Sequence, residues 1–194
     1  IYLSNNKLVK SKILINATGP WVNQVIQNVL NLKFSQSVSL VKGSHILTKK
    51  LYNQEVAFTL QNTDNRVVFV IPYKKHYTLI GTTEVEVESP EETKIDHSEI
   101  QYLLDCVNTY FTNKISQKDI IETFSGIRPL IKNNKNNLSK MTRDYYLDLN
   151  VQNNNVPLLN IYGGKLTTYR KLAEKAIHAL RSYFPPAEGN WTHN

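Results

Sequence analysis

The hydrophobic and polar positions of the chain alternate in short segments, which predicts a sheet-rich fold interrupted by helices. Residues 12–17 form an apolar run that suits a buried strand. A turn then leads into a helix over residues 21–30, with Pro20 suited to its first position. Apolar runs between polar turns predict further strands at 38–48, 56–60, 66–72 and 77–83. Successive strands joined by short polar turns are typical of antiparallel hairpins.

The second half of the chain continues with a helix, three strands and a last helix. Residues 98–111 carry apolar side chains at helical spacing, which predicts an amphipathic helix. Residues 120–130 and 145–151 return to a strand pattern. A last apolar run at 156–161 precedes two glycines and a helical segment at 172–180. This order of elements predicts an α+β fold.

Composition limits the functional classes without choosing among them. The chain has 194 residues, 41% of them hydrophobic, so we expect one globular domain, or one large domain with part of a second. A net charge of +7 favours anionic partners such as phosphate metabolites, nucleic acid or an acidic membrane surface. Cys106 excludes an internal disulfide and, on a predicted helix, is interpreted as a packed thiol. No apolar run approaches the ~18 residues of a spanning helix, so membrane contact would be peripheral.

The two ends of the sequence have the character of internal positions. The chain starts in the middle of an apolar pattern without an initiator methionine, and it stops without a helix cap. We therefore expect it to be an internal piece of a longer protein.

The segment with the most chemical information joins the last predicted strand to the last helix. It runs Tyr162-Gly163-Gly164-Lys165-Leu166-Thr167-Thr168. A glycine turn before a helix N-terminus offers backbone N–H groups and the positive end of the helix dipole to an anion. The spacing of this segment does not match the phosphate loop of nucleoside triphosphatases. A Gly-x-Gly-x-x-Gly fingerprint is absent from the sequence, and one cysteine with five scattered histidines fits no metal-ligand spacing.

Two further turns carry candidate residues with competing interpretations. Thr18 and Gly19 follow the first predicted strand, where they form either a ligand-binding turn or an ordinary strand-to-helix connection. Gly43 interrupts a predicted strand, which often marks the close approach of a ligand. His45, two residues later, is interpreted either as a structural residue or as a general base.

Two arginines stand at strand ends. Arg128 lies between Ile127 and Pro129, and Arg143 opens a later strand beside Asp144. The guanidinium group suits bidentate binding of phosphate or carboxylate, although the neighbouring aspartate also fits a surface ion pair for Arg143. Together with Lys165, the two arginines indicate an anion pocket.

Seven segments, in their order along the chain, resemble the FAD-dependent glycerol-3-phosphate dehydrogenases of the aerobic, quinone-linked type. They are Asn16-Ala17-Thr18-Gly19-Pro20-Trp21, Leu40-Val41-Lys42-Gly43-Ser44-His45-Ile46, Val68-Phe69-Val70-Ile71-Pro72-Tyr73, Leu79-Ile80-Gly81-Thr82-Thr83-Glu84, Ser125-Gly126-Ile127-Arg128-Pro129-Leu130, Thr142-Arg143-Asp144-Tyr145 and Gly163-Gly164-Lys165-Leu166-Thr167-Thr168-Tyr169-Arg170. The resemblance covers nearly the whole chain.

The resemblance implies a flavoprotein of the D-amino-acid oxidase type, with a Rossmann-like FAD domain and an antiparallel substrate-binding (cap) sheet. Residues 1–36 and 156–194 would belong to the FAD domain, and residues 37–155 to the cap sheet. The sequence departs from the family because it lacks the strand that binds the FAD pyrophosphate and the helical region after Trp191. A catalytically inactive remnant or binding fragment therefore stays open as an alternative. A related FAD-dependent amine or hydroxy-acid oxidase is the other.

The resemblance also implies an activity and a role for each candidate residue. Members of the family oxidise sn-glycerol 3-phosphate to dihydroxyacetone phosphate by hydride transfer to FAD, and the electrons pass to quinone. Arg128, Arg143 and Lys165 would bind the substrate. His45 is the candidate base, a role that Arg128 or Lys165 could share. The implied cofactor-binding residues are Thr18, Gly19, Gly163, Gly164, Lys165, Leu166 and Thr167.

The implied partners follow from the same resemblance. They are glycerol 3-phosphate, quinone and the inner face of the cytoplasmic membrane, with peripheral attachment from the cytoplasm and a homodimer as the implied assembly. Nucleic acid is not expected, because its binding needs a basic face with exposed aromatics, whereas the tyrosines mostly fall in strand patterns.

Overall fold

The structure is a computed structural model that describes residues 2–33, 35–131, 144–151, 156–186 and 192. The described residues form two compact units. The described part of the first consists of residues 2–33, 35–38, 129–131, 144–151, 156–186 and 192, and the described part of the second is the segment 39–128.

The secondary structure agrees with the α+β pattern of the sequence. In chain order the strands are β1 (Leu14–Asn16), β2 (Val38–Lys49), β3 (Phe58–Gln61), β4 (Val67–Tyr73), β5 (Tyr77–Gly81), β6 (Val85–Val87), β7 (Ile120–Ile131), β8 (Tyr145–Val151) and β9 (Pro157–Gly163). The α-helices are α1 (Val22–Gln24), α2 (His97–Tyr110) and α3 (Tyr169–Ala179). Short 3₁₀ turns cover Gly19–Trp21, Gln117–Asp119, Leu166–Thr168 and Arg181–Tyr183, and a π turn covers Val25–Val29.

The first unit contains a three-stranded sheet in the order β1-β9-β8. Strands β1 and β9 are parallel, with Asn16 opposite Asn160, and β8 runs antiparallel to β9. The β1–β9 pair therefore places the carboxyl ends of two strands at one edge of the sheet. Strand β8 belongs to this unit because it pairs with β9 along its whole length, whereas the sequence-based boundary at residue 155 assigns it to the cap sheet.

Apolar clusters hold the described part of the first unit together. Val22 and Ile26, from the helical stretch after β1, pack against Ile131 and Tyr162. Ala176 of α3 and Leu180, which directly follows this helix, pack against Leu159 of β9. The helical stretch after β1, Gly19–Val29, overlaps the predicted helix at 21–30, but it combines 3₁₀, α and π turns rather than forming a uniform α-helix.

The second unit is an antiparallel sheet in the order β3-β4-β5-β2-β6, with β7 also paired to β2. Helix α2 covers one face of this sheet. Its buried apolar side chains are Leu103, Leu104, Cys106 and Val107, and they meet Ile46, Leu60, Val68, Val70 and Ile80 from the strands. The apolar stripe predicted from the helical spacing thus forms the core, and Cys106 is the packed thiol that was expected.

Strand β6 is an element that the sequence pattern missed. The pattern predicts one strand over 77–83, but β5 ends at Gly81 and pairing to β2 resumes at Val85. Three residues are too few to display an alternating pattern, so only the pairing of Val85 and Val87 with β2 defines this strand.

None of the described helices combines the length and the apolar character that crossing a bilayer requires.

Candidate functional site

In the second unit, β2, β5 and β7 bring His45 and Arg128 to the same face of the sheet. One guanidinium nitrogen of Arg128, Nη2, donates a hydrogen bond to Thr82 Oγ1 at 2.9 Å. The His45 ring stacks on Phe124, with centroids 5.4 Å apart and planes inclined by 14°. The predicted anion-binding arginine and the predicted base therefore lie on one sheet face, where the charge of Arg128 acts on the imidazole of His45.

Two glycines make room for these side chains. A Cβ atom on Gly43 would lie 2.6 Å from Cζ of Arg128, and one on Gly81 would lie 2.6 Å from Cγ of His45. Both distances are far below van der Waals contact. At Gly43 the sequence indicated the close approach of a ligand, whereas the group that approaches in the structure is the protein's own Arg128 guanidinium.

The protonation state of His45 follows from its surroundings. Burial, and secondarily the positive charge of Arg128, lower the pKa of His45 from its ordinary value of 6.5. The imidazole is therefore neutral at neutral pH and can accept a proton.

We expect a ¹H NMR titration to give a His45 pKa below 6.5. In Arg128→Gln the pKa should rise but stay below the ordinary value, because burial is the larger cause. The native state binds this proton less readily than the unfolded chain. His45 therefore makes the free energy of unfolding fall as the pH drops below about 6.5. The His45→Gln variant identifies the signal, and a wild-type pKa at or above the ordinary value would contradict the geometry.

Gly43 offers a test that separates the site from the fold. In Gly43→Ala the new methyl group should displace the Arg128 guanidinium and lower kcat/KM for an anionic substrate by about tenfold or more. The melting temperature should change little, because a flexible side chain can move away. Gly126→Ala on β7 is the matched control, since a Cβ there meets nothing within 4 Å. Equal kinetics in the two variants would show that Arg128 is not positioned by Gly43.

In the first unit, the candidate cofactor residues lie at the carboxyl edge of β1 and β9. Gly19, after β1, has a φ angle of +58°. Gly163, the last residue of β9, has a φ angle of +68°, and Gly164, in the turn that follows, has one of +101°. At Gly163 a Cβ would also lie 2.6 Å from the carbonyl oxygen of Asp144. Only glycine fits both the backbone conformation and the space at this position.

The turn after β9 opens directly into a helix. Thr168 donates from its backbone N–H and from Oγ1 to the Lys165 carbonyl, both at 3.1 Å. The 3₁₀ turn Leu166–Thr168 then continues into α3. The first N–H groups of such a turn have no partner within the helix and point towards its start. Leu166 is 88% exposed at this position.

A buried pair of asparagines joins the two turns at this edge. The Asn16 amide Nδ2 donates to the Val22 carbonyl and to Asn160 Oδ1, both at 3.1 Å. Thr18 Oγ1 donates to Asn16 Oδ1 at 2.7 Å. These bonds tie the Thr18–Gly19 turn to Asn16 and, through Asn16, to Asn160 of β9.

The structure thus groups the predicted residues within each unit. His45 and Arg128 meet in the second unit, whereas Thr18, Gly19 and the residues from Gly163 to Thr167 share one edge in the first. Arg143 lies outside the described residues. Sequence reasoning gave no role to Thr82 or Phe124, although both lie within or beside segments that carry the family resemblance.

The chain is similar to known FAD-dependent oxidoreductases. Residues 4–170 match the family model described as FAD dependent oxidoreductase. The aerobic glycerol-3-phosphate dehydrogenase of Escherichia coli is 46% identical over 180 residues, which cover 92% of this chain and 36% of that protein. The D-erythritol 1-phosphate dehydrogenase of Brucella abortus is 44% identical over 186 residues, covering 95% and 37%. The chain therefore spans a little over a third of these relatives.

Solved structures show the same fold. A glycerol-3-phosphate dehydrogenase from Bacillus halodurans, complexed with FAD, superposes with a TM-score of 0.73 at 26% identity, covering 90% of this chain and 33% of that one. A glycine oxidase from Geobacillus kaustophilus superposes with a TM-score of 0.59 at 17% identity, covering 91% and 43%. The second likeness concerns the fold alone.

Proposed function

Because this chain belongs to the FAD-dependent oxidoreductase family, we propose that the protein carrying it oxidises sn-glycerol 3-phosphate to dihydroxyacetone phosphate. The observation that carries the proposal is the placement of His45 and Arg128 on one sheet face, where the charge of Arg128 acts on the imidazole. A neutral base and a fixed cation side by side suit an alcohol that bears an anionic group. The relatives named for glycerol 3-phosphate and for erythritol 1-phosphate act on such alcohols.

The carboxyl edge of β1 and β9 fits an FAD molecule. In open α/β sheets, ligands bind outside the carboxyl ends of strands, and glycines there let a cofactor approach the backbone. The N–H groups that begin the turn Leu166–Thr168 are suited to oxygens that carry negative charge. We propose that Thr18, Gly19 and the residues from Gly163 to Thr167 hold the cofactor. Bound FAD supplies a hydride acceptor.

The chain's own residues would do the rest of the chemistry. His45 would accept the proton of the substrate's C2 hydroxyl as the alcohol becomes a ketone, a change for which bound FAD would supply the hydride acceptor. Arg128 binds the anionic end or the reacting oxygen of the substrate, where its charge stabilises the developing alkoxide. Arg143 and Lys165 are proposed as further substrate-binding residues on the basis of the family resemblance. Sharing of the base role by Arg128 or Lys165 stays the alternative assignment.

Alternative substrates differ in the group that the arginine binds. D-erythritol 1-phosphate would use the same base and the same cation and differ only in chain length, and a relative at 44% identity is named for it. An amino or hydroxy acid would offer a carboxylate instead. Two arginines and a lysine favour a dianionic phosphate over a carboxylate. A non-catalytic binding fragment is the alternative of another class.

The electron acceptor, location and assembly are proposed from the same resemblance. We propose that quinone reoxidises the flavin, that the protein works as a homodimer, and that it attaches peripherally to the inner face of the cytoplasmic membrane. The net charge of +7 supports contact with an anionic lipid surface.

A substrate panel tests the proposed function. The flavin-loaded protein is assayed with a dye acceptor against sn-glycerol 3-phosphate, D-erythritol 1-phosphate, glycerol and a 2-hydroxy acid. We expect kcat/KM to be highest for a phosphorylated polyol and at least ~100-fold lower for unphosphorylated glycerol, because charge-assisted bonds to the phosphate are lost. A preference for the hydroxy acid would replace the proposal with an oxidase of carboxylates. Turnover of none of them would favour the non-catalytic fragment.

A further inference from the structure

A buried carboxylate lies on the sheet face opposite His45 and Arg128. Glu99, in the first turn of α2, is only 3% exposed. Its Oε1 accepts hydrogen bonds from Ser44 Oγ at 2.8 Å and from Thr83 Oγ1 at 2.5 Å. Ser125 Oγ donates in turn to Ser44 Oγ at 2.7 Å. One carboxylate therefore ties together β2, the end of β5 and β7.

The tied residues are the chain neighbours of the candidate site. Ser44 precedes His45, Thr83 follows Thr82, and Ser125 follows Phe124. In β2 and β7 successive side chains point to opposite faces, so the hydrogen bonds of Ser44 and Ser125 on the α2 side of the sheet fix the strand positions that carry His45 and Phe124 on the other side. Thr83 is joined directly to Thr82 by the chain, so its hydrogen bonds restrict the position of Thr82. Thr83 makes this connection rigid, because its hydroxyl also accepts the Ser44 backbone N–H at 2.9 Å.

The carboxylate is itself held on its second oxygen. Glu99 Oε2 lies 2.9 Å from Lys42 Nζ and accepts the Asp96 backbone N–H at 3.0 Å. The Lys42 ammonium also donates to the Lys94 carbonyl at 2.8 Å. Both ends of the pair are buried, so neither charge can turn towards water, and the carboxylate has one orientation.

The ion pair of Glu99 with Lys42 is not needed for stability alone. Replacing both members of a buried ion pair by apolar side chains is often neutral or stabilising. A polar tether at this point therefore calls for a reason other than stability. Hydrogen bonds have direction, so they fix the relative alignment of three strands more narrowly than apolar packing does.

We propose that Glu99 is a positioning residue, which aligns His45, Thr82 and Phe124 through Ser44, Thr83 and Ser125. The inference rests on the proposed function for its kinetic consequence. Its structural consequence is independent of the reaction: loss of the tether lets Thr82 move, and Arg128 then loses the hydroxyl that anchors its guanidinium.

The most direct test replaces Thr83 with valine, which keeps the shape and removes the hydroxyl. In Thr83→Val we expect KM for sn-glycerol 3-phosphate to rise by about tenfold or more, with unchanged flavin content. Thr83→Ser should restore wild-type kinetics, because it restores the two hydrogen bonds. Leu104→Ala on the same helix is the matched control: it should lower the melting temperature by at least as much and leave KM within about twofold.

A second readout distinguishes failure of the tether from failure of the proposed reaction. The NMR pKa of His45 should rise towards its ordinary value in Thr83→Val and not in Leu104→Ala. This result would support the tether even if wild type oxidises no polyol phosphate. If Thr83→Val does not fold, Ser125→Ala, which removes only the link to Ser44, is measured in its place. A His45 pKa and KM that do not change, or that change equally in Leu104→Ala, would overturn the proposal.

Discussion

Replacing Arg128 with alanine is expected to lower kcat/KM for sn-glycerol 3-phosphate by about two to three orders of magnitude while the protein keeps its flavin. The proposed charged pair consists of the Arg128 guanidinium and the anionic group of the substrate. Truncating one partner of such a pair in a buried site costs about 2–5 kcal/mol of binding free energy, and each 1.4 kcal/mol changes kcat/KM about tenfold. Arg128 belongs to the second unit, whereas the proposed flavin-binding residues belong to the first. Substrate use and flavin content should therefore separate, as steady-state kinetics and the visible spectrum will report.

Arg66→Ala provides the matched control for the loss of an arginine. Arg66 forms an exposed ion pair with Asp64 at 2.7 Å, and its guanidinium lies over the ring of Tyr102. It has no assigned role in the candidate site. Exposed pairs contribute about 0–1 kcal/mol, so its kinetics should stay close to wild type. Unchanged glycerol 3-phosphate kinetics in Arg128→Ala would refute the role assigned to that residue. Loss of flavin in the same variant would instead indicate a folding defect.

Replacing Gly163 with alanine is expected to abolish tight flavin binding. A left-handed conformation costs a residue with a Cβ about 1–3 kcal/mol, and here the methyl group also meets the Asp144 carbonyl at 2.6 Å. The backbone of the turn must move, and the N–H groups after Lys165 move with it. Titration with FAD, followed by flavin fluorescence, measures the affinity, and thermal unfolding measures the accompanying loss of stability.

Gly126→Ala separates this effect from a general cost of adding a methyl group. Its position is exposed and open, so flavin affinity and melting temperature should match wild type. Wild-type FAD affinity in Gly163→Ala would remove the turn from the cofactor site. A loss of stability without a loss of affinity would make the glycine a structural requirement only.

The sequence predicted most of the elements because their apolar patterns are local. Strand β8 occupies the predicted residues, and α2 differs from its prediction by one residue at each end. The start of α2 also carries a visible capping pattern, Asp96 followed three residues later by Glu99. Strand β6 was missed because its three residues pair with β2 without an alternating pattern of their own.

The site was predictable only as separate pieces. The sequence around His45 does not indicate that Phe124 and Arg128 lie near it, because only the pairing of β7 with β2 brings these residues to the same face. Glu99 illustrates the limit most clearly. A capping glutamate is normally exposed, and only the packing of α2 on the sheet turns its side chain into a buried acceptor for Ser44 and Thr83. The family resemblance, unlike the periodicity of the sequence, assigned residues far apart in the chain, such as His45 and Arg128, to one site.

Anaerobic mixing of the flavin-loaded protein with sn-glycerol 3-phosphate tests the central proposal most directly. We expect the visible absorbance of the oxidised flavin to bleach, with one dihydroxyacetone phosphate formed per flavin reduced. Glycerol at the same concentration should leave the spectrum unchanged. Flavin that stays oxidised with sn-glycerol 3-phosphate, yet is bleached by a chemical reductant in the same sample, would contradict the proposed function.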